Sequence, residues 1–256
     1  MELQLHHFLI VCPLVFFAGL VDAIAGGGGI ISLPAYIIAG LPSHEAIATN
    51  KLSSALGTAL TTFRFIKRGL VNLKLSLITV SSAVIGSSMG ARLSLMASER
   101  ILRILLLFIL PAAAVIVLNR SLLKDSGKDE ITFDRRTILT AVVSAFIIGG
   151  YDGFYGPGTG TFLIIAFTVF AHFSAERANA QAKVINLTTN ITSLTVYLLN
   201  GKVVILLGLA AAACNMAGNY IGSGLVLKKG VKIIRPMMIL VLMILLVRVI
   251  TELCNG

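Results

Sequence analysis

Charge is what this chain has least of. Only 12% of its 256 residues are charged, where soluble domains carry about 25%. Hydrophobic residues make up 57%, and the mean hydropathy is +0.94. No water-soluble core could absorb that much apolar surface, so the composition implies an integral membrane protein. Tryptophan is absent, which leaves any interfacial aromatic belt to Tyr and Phe. The three cysteines, Cys12, Cys214 and Cys254, lie far apart and fit neither a disulfide framework nor a metal site. No HExxH, nucleotide loop or nucleophile–base pair is present, so no enzyme activity, cofactor or metal is expected. The net charge of +10 would suit nucleic acid, but the Lys and Arg fall in short loops between apolar runs, as the positive-inside rule requires. The run His6–Leu20 could pass for a secretory signal. It lacks a basic start and leads straight into a repeat, so it reads as mature protein.

Glycine is abundant, and its placement repeats. Asp22, Gly26 and Gly28 recur as Asp152, Gly156 and Gly158 at an offset of 130. After a two-residue slip, Lys51, Gly69, Gly86 and Gly90 recur as Lys183, Gly201, Gly218 and Gly222. Glycine-broken apolar segments at matching places in two halves are the sequence pointer to a transport site.

Six stretches are long enough to span about 30 Å of hydrocarbon, near 45–66, 70–96, 100–119, 176–199, 202–227 and 232–252. Four shorter or interrupted ones lie near 7–24, 29–41, 137–151 and 159–172. The expectation is an all-α polytopic membrane protein with a first repeat over 1–119, a cytoplasmic linker over 120–136 and a second repeat over 137–256. Each repeat holds a Gly-interrupted short helix pair plus three full transmembrane helices. Counted by alternate loops, 14 Lys and Arg fall on one side and 4 on the other. The richer side is cytoplasmic by that count, both termini lie outside, and the repeats have inverted topology.

Three constellations could carry function. The turns Gly26, Gly27, Gly28, Gly29 and Gly156, Gly158, Thr159, Gly160 each open a half-helix whose free N–H groups and positive dipole end favour an anion; close helix packing is the alternative. Asp22 and Asp152, at membrane depth, could couple a proton or cation, cap a broken helix, or pair with a lysine. An anion site beside a permanent carboxylate charge would defeat itself, so pairing or protonation is expected. Thr49, Asn50 and Lys51 align with Gln181 and Lys183 at the openings of two long helices. Their lysines either point inward to hold an anion or snorkel to the interface. The GxxxG patterns at Gly86–Gly90 and Gly218–Gly222 read as helix-packing faces. His44 and His172 read as loop-end residues.

The AxATNKL run at 46–52, the YGPGTGTF run at 155–162 and ANAQAKVINLTTN at 178–190 resemble the sulfite exporter TauE/SafE family, also called 4-toluene sulfonate uptake permeases. The resemblance covers nearly the whole chain outside the linker. It implies secondary transport of sulfite, a sulfonate or a related organosulfur anion across the cell membrane, with the residues above as the substrate site. The expected partners are that small anion, a coupling proton or cation, and the lipid bilayer; oligomerisation is left open. A passive anion channel and a membrane-embedded enzyme are the other readings. Gly26–Gly29 lacks the proline and final glycine of Gly156–Gly160, so the two half-sites are expected to differ.

Overall fold

A computed structural model describes residues 3–98 and 133–254. The span expected near 100–119, most of the linker and both termini lie outside the described residues.

Nine α-helices are described: α1 (Leu5–Ala25), α2 (Gly29–Ile38), α3 (Ser43–Lys67), α4 (Leu73–Met96), α5 (Arg135–Phe154), α6 (Thr159–Phe170), α7 (Ala175–Leu199), α8 (Ile205–Lys229) and α9 (Val231–Cys254). Leu5 and Arg135, and Gly29 and Thr159, begin equivalent helices at the offset of 130. Ser43 and Ala175, and Leu73 and Ile205, do so at 132. The slip lies between α2, with 10 residues, and α6, with 12. Gly40 and His172, each two residues past its short helix, take positive φ of +94° and +55°. His172 thus sits at the stop of a helix. Gly69 and Gly201 close α3 and α7 alike, at φ +67° and +65°. The next N–H in each donates five residues back, Leu70 to Phe65 and Lys202 to Tyr197, which is the usual glycine-terminated helix ending.

α1, α4, α5 and α8 are each long and apolar enough to cross a membrane. The protein is therefore a multi-pass, all-helical membrane protein. One detail of the expected short pairs is corrected: α1 and α5 have 21 and 20 residues, enough for about 30 Å, and only α2 and α6 are short. The glycine turn after each first segment marked it as interrupted, but both helices run unbroken up to that turn, past an aspartate that pairs with a lysine. Asp134 caps α5, accepting from Thr137 N–H at 2.8 Å, and these hydrogen bonds hold its carboxyl below the usual range.

The two halves interlock rather than stand side by side. α1 packs along α8, where Gly218 and Gly222 lie against the backbone of Phe16 and Leu20. α4 packs along α5, where Gly86 and Gly90 lie against Phe146 and Gly150. Phe16 and Leu20 are themselves equivalent to Phe146 and Gly150. Both GxxxG patterns are thus packing faces, and each sits against the first helix of the other half. α3 and α7 pack together at the centre and run antiparallel. The end of α3 meets the start of α7, with Arg177 donating to Gly69 O at 2.6 Å. The start of α3 meets the start of α8, where Thr49 Oγ1 accepts from Val204 N–H at 3.0 Å.

Candidate functional site

Both glycine turns converge on the centre and touch. Gly26 ends α1 at φ +76° and Gly156 follows α5 at φ +103°, a backbone region that L side chains rarely enter. A Cβ on Gly160 would lie 2.5 Å from Gly26 Cα, and one on Gly29 3.1 Å from Pro157 Cα. Only residues without side chains allow such a crossing. It is fastened by Thr161 Oγ1 donating to Ala25 O at 2.7 Å. Asn179 donates to Ala23 O and Ile24 O at 3.1 and 3.0 Å, supplying partners for carbonyls that the end of α1 leaves open.

The aspartates and lysines pair, and they pair across the halves. Lys51 of α3 meets Asp152 of α5, Nζ to Oδ1, at 2.9 Å. Lys183 of α7 meets Asp22 of α1, Nζ to Oδ2, at 2.8 Å. Side-chain exposure is 2% and 3% in the first pair and 0% and 13% in the second, so the lysines do not snorkel to an interface. A buried charge without a partner costs several kcal/mol, and here each carboxylate receives its counter-charge from the other repeat.

A small polar cavity opens beside these pairs. Ten of its twelve lining residues are equivalent positions of the two halves: Asp22 and Asp152, Gly26 and Gly156, Gly29 and Thr159, Ser54 and Asn186, Thr58 and Asn190. The cavity is therefore lined by matching positions from both ends of the sequence. Gly29 and Thr159 are the first residues of α2 and α6, so two helix N-termini reach it.

The remaining two lining residues, Asn50 and Lys51, break the symmetry. Their equivalents, Ala182 and Lys183, are not part of the lining. Lys183 Nζ is held twice by Asp22, through Oδ2 and the main-chain oxygen. Lys51 Nζ has one partner among the described residues, Asp152, and an ammonium carries three donors. Asp152 also accepts from Thr159 Oγ1 at 2.9 Å and from Thr189 Oγ1. Asp22 has, besides its lysine, one side-chain donor among the described residues, Thr58 Oγ1 at 3.4 Å.

Of the residues expected at the site, Asp22, Gly26, Gly29, Asn50, Lys51, Asp152, Gly156 and Thr159 come together around the cavity. The others lie behind it. Gly27 abuts Val241 of α9, Gly28 abuts Ala18 and Asp22, and Gly160 abuts Gly26. Gly158 precedes α6 at φ +85°. Thr49 and Gln181, buried at equivalent positions, each accept from the backbone N–H at the start of the other half's fourth helix, Val204 at 3.0 Å and Asn72 at 3.2 Å. Ser54, Thr58, Asn186 and Asn190 were missed as site residues. Their signal was the step of four residues along α3 and α7, from Asn50 to Ser54 to Thr58 and from Asn186 to Asn190.

The sulfite exporter TauE/SafE family model matches residues 11–249. Among similar proteins, "Probable membrane transporter protein ORF9" of Sinorhizobium sp. is 33% identical over 251 residues, covering 98% of this chain and 95% of that protein. "Probable membrane transporter protein YfcA" of Escherichia coli K12 is 36% identical over 225 residues, covering 88% and 82%. "Probable membrane transporter protein YdhB" of Bacillus subtilis is 21% identical over 220 residues, covering 84% and 89%. No solved structure matches the chain.

Proposed function

This chain belongs to the sulfite exporter TauE/SafE family of membrane proteins, and on that premise we propose that it is a secondary transporter of a small anion: sulfite, a sulfonate or a related organosulfur anion. The observation that carries this reading is the central cavity, where Lys51 has one described partner for its three donors. Two helix N-termini add positive potential at the same place. Hydroxyls and amides of Ser54, Thr58, Asn50, Asn186 and Asn190 supply neutral hydrogen-bond partners for oxygens. The Asp152 carboxylate and an entering oxyanion compete for Lys51, since the carboxylate already sits where an oxyanion would be attracted.

The two halves, 1–119 and 137–256, work as inverted copies in the cell membrane. The antiparallel α3 and α7 and the loop-charge asymmetry both support that arrangement. Rocking one half against the other exposes the cavity alternately to the two sides, with both termini outside. The coupling ion, a proton or a cation, acts at Asp22 or Asp152. A fusion reporter at Gly127 should read cytoplasmic and one at Gly256 external; a cytoplasmic reading at Gly256 would reverse the assignment of sides.

Purified protein screened for thermal stabilisation by sulfite, sulfate, thiosulfate, sulfoacetate and taurine should respond to at least one sulfur oxyanion. Liposome counterflow should then saturate with that anion. Flux that rises linearly without saturation would make the protein a channel, and conversion of a probe during incubation would make it an enzyme.

A further inference from the structure

The donors around Asp152 form a site for an anion, and the protein's own carboxylate sits in it. Lys51 Nζ and Thr159 Oγ1 approach Oδ1, each at 2.9 Å, and Thr189 Oγ1 approaches Oδ2. Lys51 also lines the cavity. An oxyanion entering the cavity is drawn to the ammonium that already holds this carboxylate. If the anion takes the lysine, Asp152 remains with a side chain only 3% exposed and without its counter-charge. A buried carboxylate in that position is costly, and one proton removes the cost.

We propose that substrate binding at Lys51 is coupled to uptake of one proton by Asp152, which makes the protein a proton–anion co-transporter with Asp152, and not Asp22, as the proton carrier. This rests on the anion-site reading above. The proton comes from water on the side from which the anion enters and goes to the Asp152 carboxylate. The ammonium stays charged and changes partner. A monoanion then crosses without net charge, and a dianion carries one negative charge.

The surroundings of Asp152 separate it from Asp22. Its ionisable neighbours are Lys51 on α3, Asp22 on α1 and Lys183 on α7, with the phenols of Tyr197 on α7 and of Tyr151 and Tyr155 near it in its own segment. α6 brings Thr159 and no ionisable group, and on α4 Lys74 and Arg92 are exposed. Lys183 is committed to Asp22 through two oxygens. Tyr197 donates to Gly153 O at 3.1 Å and Tyr151 to Pro157 O at 2.6 Å. Of the two lysines, Lys51 is the one that lines the cavity, and its change of partner leaves Asp152 uncompensated there.

The test is calorimetry of the full chain in detergent with sulfate, thiosulfate and isethionate, which stay fully ionised between about pH 5 and 8. Titrations in buffers of different ionisation enthalpy count protons. The expected result is uptake of close to one proton per anion bound, with affinity falling about tenfold per pH unit as pH rises. Binding without proton uptake overturns the coupling and leaves the anion site standing. Binding of none of the three removes both. In Asp152→Asn, binding should persist with no proton uptake and little pH dependence. Loss of uptake in Asp22→Asn but not in Asp152→Asn would overturn the assignment to Asp152. The parent protein's proton count decides the coupling even if a variant folds poorly.

Discussion

The two lysine–aspartate pairs occupy equivalent places and are built differently. Lys183 is held twice by Asp22 and lies outside the cavity lining, while Lys51 has one described partner and faces the cavity. Asp152 has two hydroxyl donors besides its lysine, and Asp22 has one, at 3.4 Å. Duplication supplies two copies of a motif, but a single asymmetric substrate needs one working site. On this reading the second copy keeps the same ion pair as a fastening between halves, while the first uses it for binding.

The largest expected effect tests the crossing on which both pairs depend. Gly26→Ala drives a methyl into the backbone of Gly160 and Thr161, where nothing can move aside. It should abolish folded, monodisperse protein in size-exclusion chromatography. Gly156→Ala also sits at positive φ, but its methyl would meet side-chain atoms, Asp152 Oδ1 at 2.9 Å and Lys51 Nζ at 3.0 Å. That variant should fold with lowered Tm and bind anion more weakly. Equal failure of the two would mean that strain at positive φ, not the crossing, is decisive.

Next come the lysines. Lys51→Met should weaken anion binding about 10- to 100-fold, the worth of a charge-assisted hydrogen bond. Lys183→Met should chiefly lower Tm, because it strands Asp22; breaking a buried pair costs about 3–5 kcal/mol, and Asp22's 13% exposure reduces that. Adding Asp22→Asn to Lys183→Met should restore Tm, with binding close to the parent's throughout. Adding Asp152→Asn to Lys51→Met should restore Tm alone. If the second double variant also binds anion normally, the pairs are interchangeable and the asymmetry has no functional meaning.

Thr159→Val removes a donor that Gly29, its equivalent, cannot supply. It should shift the pH dependence of binding with a change of only a fewfold in affinity at fixed pH, read by the same calorimetry. Thr49→Val and Gln181→Leu should have the smallest effect on transport and should each cost about 1 kcal/mol of stability, as lost hydrogen bonds to the starts of α8 and α4 do. A large loss of binding in either would place these residues closer to the substrate than the cavity lining does.

Much of the fold was legible in the residues, because it rests on local signals. Apolar length marked the membrane helices, and glycines at fixed offsets marked the repeat. The GxxxG spacing marked the packing faces. The length of α1 and α5 was underestimated because glycines near their ends looked like breaks, while the packing that supports the last turns comes from residues far away in sequence. At the site, Lys51 and both aspartates were legible from their repetition, and Asn50 and Thr159 from the runs that contain them at 46–52 and 155–162. Ser54, Thr58 and Asn186 were not singled out, since a hydroxyl or amide on a long helix looks the same whether it faces a cavity or a neighbouring helix.

The sequence by itself determined that the chain is a membrane protein in which glycine turns, an aspartate and a lysine recur at matching places. These are properties of composition and period, which need no knowledge of what touches what. Only the tertiary structure decided that each aspartate takes its lysine from the other half, that the turns cross in backbone contact, and that one of two equivalent lysines faces the cavity. Those outcomes depend on contacts between residues more than 100 positions apart. Buried charge must find its counter-charge wherever the packing places it.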